Sequence, residues 1–292
     1  MTLIEIERQL CSKNTSLNPD IKDELKRIKH NAIAEENEHL ANELWCYEQI
    51  YSIQHEYYSA YEHMKNAVLL DDTLDKECYD SPKSRSYETA WNELDRCDMN
   101  ISFLENAYCI SSVSMKEFHV DEIKEDVLRL FPLFPYRLFL SRETIIEEEA
   151  CSICGQTISI RHPCGHKVGS LYMGEMCHKN VERFRFLGAS IVTKPFDRYA
   201  IVNPQGDRFD FCFLDYLIPK IEPYSKWSYS IEKRLLPEFR GIRRNDRCPC
   251  GSGKKYKYCI RDSQEKHFED HYIFSIPPSK KTILQQLSEE KA

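Results

Sequence analysis

Residues 151–178 read CSICGQTISIRHPCGHKVGSLYMGEMCH, and this stretch separates two parts of the chain that differ in composition. All nine glycines lie at or after Gly155. Residues 1–150 hold 16 Lys and Arg against 31 Asp and Glu, whereas residues 151–292 hold 24 against 16, so the net charge changes from −15 to +8. Because a half without glycine favours helices, we expect an acidic all-helical region over residues 1–145.

Apolar side chains recur at helical spacing through this acidic half. Pro19 and Asp20 can start the first long helix. One stripe, interrupted by Gln54 and Lys65, comprises Ile33, Leu40, Leu44, Tyr47, Tyr51, Tyr58, Tyr61 and Val68, and a second comprises Ala90, Leu94, Cys97, Ile101, Leu104 and Tyr108. Steps of three and four residues predict two helices that pack as a long antiparallel hairpin. A third helix is predicted over residues 115–130, after Ser114, because acids fill its first turns.

The first stripe and the neighbouring Trp45 and Tyr57 contain many aromatic residues, for which two interpretations are possible. They could stack nucleic-acid bases, but the acidic surroundings would repel phosphate, so we interpret them as packing between helices. The acidic surface itself is either a solvated face or a docking surface for a basic partner.

The dividing stretch offers metal ligands at close spacing. Cys151 and Cys154 form a C-x2-C pair, which lets two thiolates reach one ion from a tight turn. The further candidates are Cys164, His166 and Cys177, with His178 as a weaker one. A structural zinc takes four tetrahedral ligands, so we place Cys151, Cys154 and Cys177 in the site and leave the fourth position to Cys164 or His166.

The residues after this stretch suggest a small module built around the metal. Ala189–Thr193 is apolar and β-branched, which is typical of a strand. Tyr199–Val202 and Phe209–Phe213 flank turn-forming residues and predict a hairpin, and Ser228–Leu236 is expected to form a short helix. We therefore expect a zinc-knuckle α+β module over residues 146–236.

Residues 244–259 read RNDRCPCGSGKKYKYC, which is the most specific pattern in the chain. Cys248 and Cys250 supply two thiolates, the glycines between them and Lys254 allow a sharp turn, and Cys259 returns a third thiolate. The pattern closely resembles the SEC-C motif, a small zinc module at the C-terminus of the bacterial preprotein translocase motor and in many otherwise unrelated proteins. The resemblance covers residues 244–260 and identifies one module, here residues 237–272, followed by a tail over residues 273–292.

The chain departs from the SEC-C pattern at one ligand. The motif places Cys or His directly after its third cysteine, and this chain has Ile260 there. A later histidine, His267 or His271, completes the site, or water does, or the site is degenerate. A helix predicted over residues 262–272 would place His267 about two turns beyond Cys259.

Taken together, the two cysteine patterns predict two zinc ions and an α+β protein, in which a helical N-terminal hairpin or bundle is followed by small zinc-stabilised α+β modules. Thirteen cysteines in a chain whose N-terminus carries acids where a signal peptide carries bases also favour metal binding over disulfides.

The second cysteine pattern lies in a basic segment. Residues 240–261 carry eight Lys and Arg and one acid, Asp246, in a chain with a net charge of −7. The candidate binding residues are Arg243, Arg244, Arg247, Lys254, Lys255 and Lys257. The resemblance implies docking to proteins, because SEC-C modules contact a secretory chaperone or reach the ribosome. We therefore predict a cytoplasmic zinc-binding adaptor that docks a partner protein, although the basic residues could also only balance the thiolate charge.

Two other functions are compatible with the sequence. The basic segment could bind nucleic acid, or an open coordination position at Ile260 could serve a metal-dependent hydrolase. The chain contains no P-loop, G-x-S-x-G, H-E-x-x-H or G-x-G-x-x-G motif, so we expect no enzyme. It also lacks an uncharged apolar run of the ~18–20 residues that a membrane span needs.

Overall fold

The computed structural model describes residues 1–13, 17–70, 81–107, 115–159, 161–203, 209–262 and 266–278. The chain divides into two compact units, Met1–Tyr224 and Ser225–Ala292. Helices and small antiparallel sheets occur together, which confirms the α+β class. The predicted helical position of Tyr108, the turn around residues 204–207 and the tail beyond residue 278 lie outside the described residues.

Five helices build the acidic part of the first unit: α1 Leu3–Leu10, α2 Asp20–Ala34, α3 Glu38–Leu69, α4 Pro82–Asn106 and α5 Val120–Leu130. Ser81 caps α4, since its hydroxyl accepts from the Ser84 N–H at 3.1 Å and Pro82 follows at the first helical position. Helices α3 and α4 run antiparallel, as the bonds from Ser59 to Glu93 and from Asn100 to Glu56 require. The predicted hairpin of two long helices is present.

The helix boundaries differ from prediction at two places. The first stripe is not continuous, because Glu36 adopts a left-handed conformation and Asn37 caps a new helix, α3. Ile33 therefore lies on α2 and is partly exposed. The third helix begins at Val120 rather than after Ser114, since His119 before it is also left-handed.

The bundle core contains buried polar groups that hydrogen-bond to backbone carbonyls or to acidic side chains. Gln54, expected to interrupt the stripe, is completely buried, and its Nε2 donates to the carbonyls of Leu10 and Phe118 at 2.8 and 3.0 Å. Asp126 accepts from Tyr57 and Tyr61 at 2.7 and 2.6 Å. These bonds satisfy groups whose burial would otherwise oppose folding.

Within the described residues the strands form three two-stranded antiparallel sheets: β1 Phe139–Cys151 with β4 Lys179–Val192, β2 Leu171–Tyr172 with β3 Glu175–Met176, and β5 Ser228–Leu235 with β6 Phe268–Ser275. The described part of the chain also contains two short α-helices, α6 Cys212–Leu217 and α7 Tyr256–Asp262. None of the helices in the described ranges is both long and apolar enough to cross a bilayer.

Four local predictions in this region are wrong. Strand β1 begins at Phe139, inside the segment expected to be helical. The hairpin of residues 199–202 and 209–213 does not form, because Ile201 bridges Phe139 and Cys212 begins α6. The expected helices over residues 228–236 and 262–272 are instead largely the strands β5 and β6. In all four, pairing between distant segments overrides a local preference.

Candidate metal centres

Four ligand atoms converge in the C-terminal unit. Those of Cys248, Cys250, Cys259 and His267 all lie within 4.8 Å of one another. The Cys248 Sγ is 3.1 Å from the His267 Nε2, and the Cys250 Sγ is 3.3 Å from the Cys259 Sγ. His267 therefore occupies the place expected for the fourth donor, whereas His271 lies on β6 opposite Glu232 and is not in this group.

Three separate elements position these donors. A tight turn carries Cys248 and Cys250, and the Cys248 N–H donates to the Lys254 carbonyl at 2.9 Å. Gly251 and Gly253 close that turn with φ of 77° and 70°, which glycine adopts without strain. Helix α7 carries Cys259 in its fourth position.

His267 is placed by the β5–β6 sheet rather than by a helix. It directly precedes β6, and its carbonyl accepts from the Leu236 N–H at 2.9 Å, at the end of β5. The imidazole is fully buried, with its ring 4.5 Å from that of Phe239. The pairing of β5 with β6 thus holds the histidine against the thiols.

The donors are themselves much of the core of this small unit. Phe239 packs with Cys248 and Cys259, and the partly buried Leu235 and Tyr256 lie against them. Since a core of this size buries little apolar surface, bonds through a bound ion would contribute a large share of its stability.

The four donors differ in acidity. The hydroxyl and N–H of Ser252 hydrogen-bond to Cys250 and lower the pKa of its thiol to about 6. Burial raises the pKa of the Cys248 thiol to about 11. Cys250 is therefore the thiolate ready to meet an incoming cation, and Cys248 gives up its proton when the ion binds.

A second group of donors lies in the first unit. The ligand atoms of Cys151, Cys154, Cys164 and His166 lie within 4.8 Å of one another. The Cys177 Sγ is 3.9 Å from that of Cys151, which matches the S···S edge of about 3.8 Å in a tetrahedral zinc site with Zn–S bonds of about 2.3 Å. Cys177 is not among the four mutually close donors, but its position next to Cys151 makes it a fifth candidate for the four positions.

The local backbone explains how these donors meet. Cys151 ends β1 and the Gly155 N–H donates to its carbonyl at 2.8 Å, which closes the C-x2-C turn. The N–H groups of Cys154 and Ile153 lower the pKa of the Cys151 thiol to about 6. Burial raises the pKa of Cys177 to about 11.

The two histidines of this stretch are placed differently. His178 is exposed, and its Nδ1 lies 3.1 Å from the Met176 carbonyl, so it is outside the donor group. The His166 Nδ1 is buried and has no hydrogen-bond partner among the described residues. The ring of His166 lies edge-on to Tyr172 at 4.7 Å. A buried nitrogen without a partner beside three thiols fits a metal ligand.

Both groups suit zinc by the chemistry of their donors. Thiolates with one imidazole select zinc or iron–sulfur chemistry, and Cys3His is a common structural zinc set. In the first unit Cys151, Cys154 and Cys164 would hold the ion with His166 or Cys177. In the second, Cys248, Cys250, Cys259 and His267 would do so.

A hairpin inside the first donor stretch is attached to the helical bundle. Met173 and Gly174 form its two-residue turn, both with positive φ as a type I′ turn requires. The Gly174 N–H donates to the Asn42 Oδ1 at 2.8 Å, and a Cβ at Gly174 would lie 2.9 Å from the Ala41 carbonyl oxygen. This attachment to α3 was not predicted.

The basic residues lie on the surface of the segment that carries Cys248, Cys250 and Cys259. Arg243, Arg244, Arg247, Lys254 and Lys255 are exposed and Lys257 is half-buried. The acid of this segment, Asp246, accepts from the Arg243 N–H at 3.2 Å and so holds a turn.

Comparisons with known proteins concern this C-terminal segment. Residues 244–259 match the SEC-C motif. The chain is similar to Protein translocase subunit SecA of Verminephrobacter eiseniae (67% identical over 27 residues), of a Nocardioides species (77% over 22) and of Anaplasma phagocytophilum (81% over 21). These segments make up 7–9% of this chain and 2–3% of the relatives. No solved structure matches the chain.

Proposed function

We propose that this protein is a cytoplasmic zinc-binding adaptor without catalytic activity, which docks a partner protein with an acidic surface through residues 240–267. The observation that carries the proposal is the convergence of Cys248, Cys250, Cys259 and His267 in a segment whose basic residues are exposed. A bound ion would fix the turn that displays those residues.

The arrangement of charges supports docking. Lys254 and Lys255 lie on the chain between Cys250 and Cys259, so the ion that joins these cysteines also holds the lysines in place. Arg247 directly precedes Cys248. A fixed group of cations attracts an acidic surface at long range and orders few side chains on binding.

The ligand set supports a structural ion in each centre. A catalytic zinc keeps one position open for water, whereas four protein donors are available in each group here. With His267 in place, the coordination position that Ile260 leaves vacant in the motif is filled. We propose two zinc ions per chain and, for the same reason, no hydrolase activity.

The similarity to segments of SecA guides the choice of partner. A protein translocase subunit carries a closely similar segment. We therefore propose a secretory chaperone or the ribosome as the partners to test first.

The test is a binding assay with matched variants. The wild-type chain and the variant Arg243→Glu/Arg244→Glu are immobilised and exposed to a purified secretory chaperone and to purified ribosomes. The variant Lys22→Glu/Lys26→Glu, on the exposed surface of α2, makes the same change in net charge and serves as control. We expect the first variant to lose binding and the control to keep it.

Two results would contradict the proposal. Equal binding of the purified chaperone or ribosomes by the wild type and the Arg243→Glu/Arg244→Glu variant would show that the basic segment does not take part in docking. Hydrolytic activity that depends on the intact Cys259 would favour an enzyme instead.

A second candidate function rests on one exposed aromatic residue. The Tyr258 ring is exposed, with the Lys257 Nζ 5.0 Å and the Arg261 guanidinium 5.6 Å from its centre. A flat ring between cations could stack on a base of single-stranded nucleic acid. Binding to an oligonucleotide that weakens steeply with salt would favour this function over protein docking.

A further inference from the structure

The β1–β4 ribbon of the first unit has two unlike faces. On one face the cross-strand pairs are Leu140 with Ile191, Arg142 with Ala189, Thr144 with Phe186 and Ile146 with Phe184. On the other they are Ser141 with Ser190, Ile145 with Arg185 and Glu148 with Arg183. The ribbon is therefore amphipathic, with one face largely apolar and the other largely polar.

The apolar face is exposed. Its large side chains are Leu140, Ile146, Val181, Phe184, Phe186 and Ile191, and all are at least two-fifths exposed. Phe184 and Phe186 are 60% and 57% exposed. A contiguous apolar face of this kind is unusual on a monomeric protein and marks an interface.

A groove and a projecting side chain lie next to each other on this face. The groove has a volume of about 570 Å³ and is lined by residues that include Leu140, Ile146, Val181 and Phe184. Phe196 stands at its edge and is 100% exposed. A surface that carries both a knob and a groove can pack on a copy of itself, each knob filling the other groove.

The charges near the face are already paired within the chain. Arg142 lies 3.2 Å from Asp197 at the groove, and on the polar face Arg183 lies 3.3 and 3.5 Å from Glu147 and Glu148. Phosphate-bearing ligands need cations that are free to meet them. The expected occupant is therefore an uncharged apolar surface.

The area of the face matches what a dimer needs. The exposed fractions of its six side chains and Phe196 amount to about four fully exposed residues. At roughly 150–250 Å² for an aromatic side chain and less for an aliphatic one, the face offers on the order of 700 Å². A standard interface buries about 800 Å² on each partner.

We propose that the β1–β4 ribbon is the interface of a symmetric homodimer, in which the apolar faces of two copies stack and Phe196 of each enters the groove of the other. The dimer goes beyond the docking function proposed for residues 240–267, and neither depends on the other. Because the contact is apolar, raising the salt concentration should leave it unchanged or strengthen it.

The test is the molar mass of the zinc-loaded chain, measured by light scattering over a range of protein concentrations. We expect twice the chain mass of 34.6 kDa for the wild type. Phe184→Glu places a charge on the stacked face and should return the mass to that of one chain. Ile231→Glu makes the same change at an exposed strand position of the β5–β6 ribbon and should stay dimeric.

A second variant guards against misfolding. Phe196 is fully exposed and outside the strands, so Phe196→Asp should not disturb folding but should also give the single-chain mass. A wild type that stays at 34.6 kDa at every concentration would overturn the proposal, including the case in which it binds an extended apolar peptide instead. A dimer that survives both Phe184→Glu and Phe196→Asp, or that dissociates with added salt, would overturn it as well.

Discussion

The His267 Nε2 lies 3.1 Å from the Cys248 Sγ, although nineteen residues separate them in the chain. The strand pairing of β5 with β6 brings them together, since the Leu236 N–H donates to the His267 carbonyl. The fourth donor therefore comes from a sheet, whereas the other three come from a turn and a short helix.

The first prediction concerns this fourth donor. His267→Ala should weaken zinc binding at the C-terminal centre by more than the roughly 10–100-fold that is typical of changes to outer-shell residues. His271→Ala, on the strand that follows His267 and opposite Glu232, should bind zinc like the wild type. Competition with a chromogenic chelator measures both affinities. Equal affinity of the two variants would exclude His267 as a ligand.

The second prediction concerns removal of the metal. Because Cys248 and Cys259 are part of the core of the C-terminal unit, a strong chelator should unfold this unit. Trypsin should then cleave at Arg247 and Lys254, whereas the helical circular dichroism of the α1–α5 bundle should persist. Protection of these sites in the chelated protein would mean that the unit folds without an ion.

The third prediction follows from the five candidate donors of the first centre. Since His166 and Cys177 both lie beside Cys151, His166→Ala and Cys177→Ser should each keep zinc at this centre, and the double variant should lose it. Cys154→Ser removes one thiol of the C-x2-C pair, and this single change should abolish zinc binding at the first centre. Elemental analysis of the purified variants counts the ions. Loss of zinc in either His166→Ala or Cys177→Ser would show that the fourth ligand has no substitute.

The fourth prediction concerns the core of the bundle. Gln54→Leu keeps the volume but leaves the carbonyls of Leu10 and Phe118 without their donor. The free energy of unfolding should fall by about 1–3 kcal/mol. Asn66→Leu, an exposed change on the same helix, should alter it by about 0.5 kcal/mol or less. Urea unfolding followed by circular dichroism gives the free energy of unfolding of both variants. A similar decrease in both would contradict a stabilising role of the Gln54 hydrogen bonds.

The fifth prediction concerns the attachment of the first centre to α3. In Gly174→Ala the new Cβ would meet the Ala41 carbonyl oxygen, and φ at this residue is 76°. The hairpin should leave α3, and zinc affinity at the first centre should fall about tenfold as preorganisation is lost. Gly165→Ala has a similar backbone strain but no close neighbour, and a chelator titration should show a smaller loss for it. Equal losses would assign the effect to strain alone.

The sequence predicts what is local. The C-x2-C pair and the C-x-C turn place thiols on one ion through a few residues, so these donors could be found by spacing. The helices α3 and α4 could be found because their long apolar stripes repeat at 3.6 residues. Their N-caps, such as Ser81 before Pro82, are also local signals.

The sequence does not predict what depends on distant pairing. Residues 228–235, SYSIEKRL, and the acidic run of β1 contain Glu, Lys and Arg, which favour helices. The break at Glu36 carries neither Gly nor Pro. The bond of Asn42 to the Gly174 N–H arises only when separate segments meet.

The turn that joins Gly174 to Asn42 has a consequence for metal exchange. The first centre sits on a loop held by β1, β4 and this bond to α3, so its donors would stay near one another after an ion leaves. Such a site could release and regain zinc while the protein remains folded. The C-terminal centre would behave in the opposite way, because loss of its ion would unfold the surrounding unit.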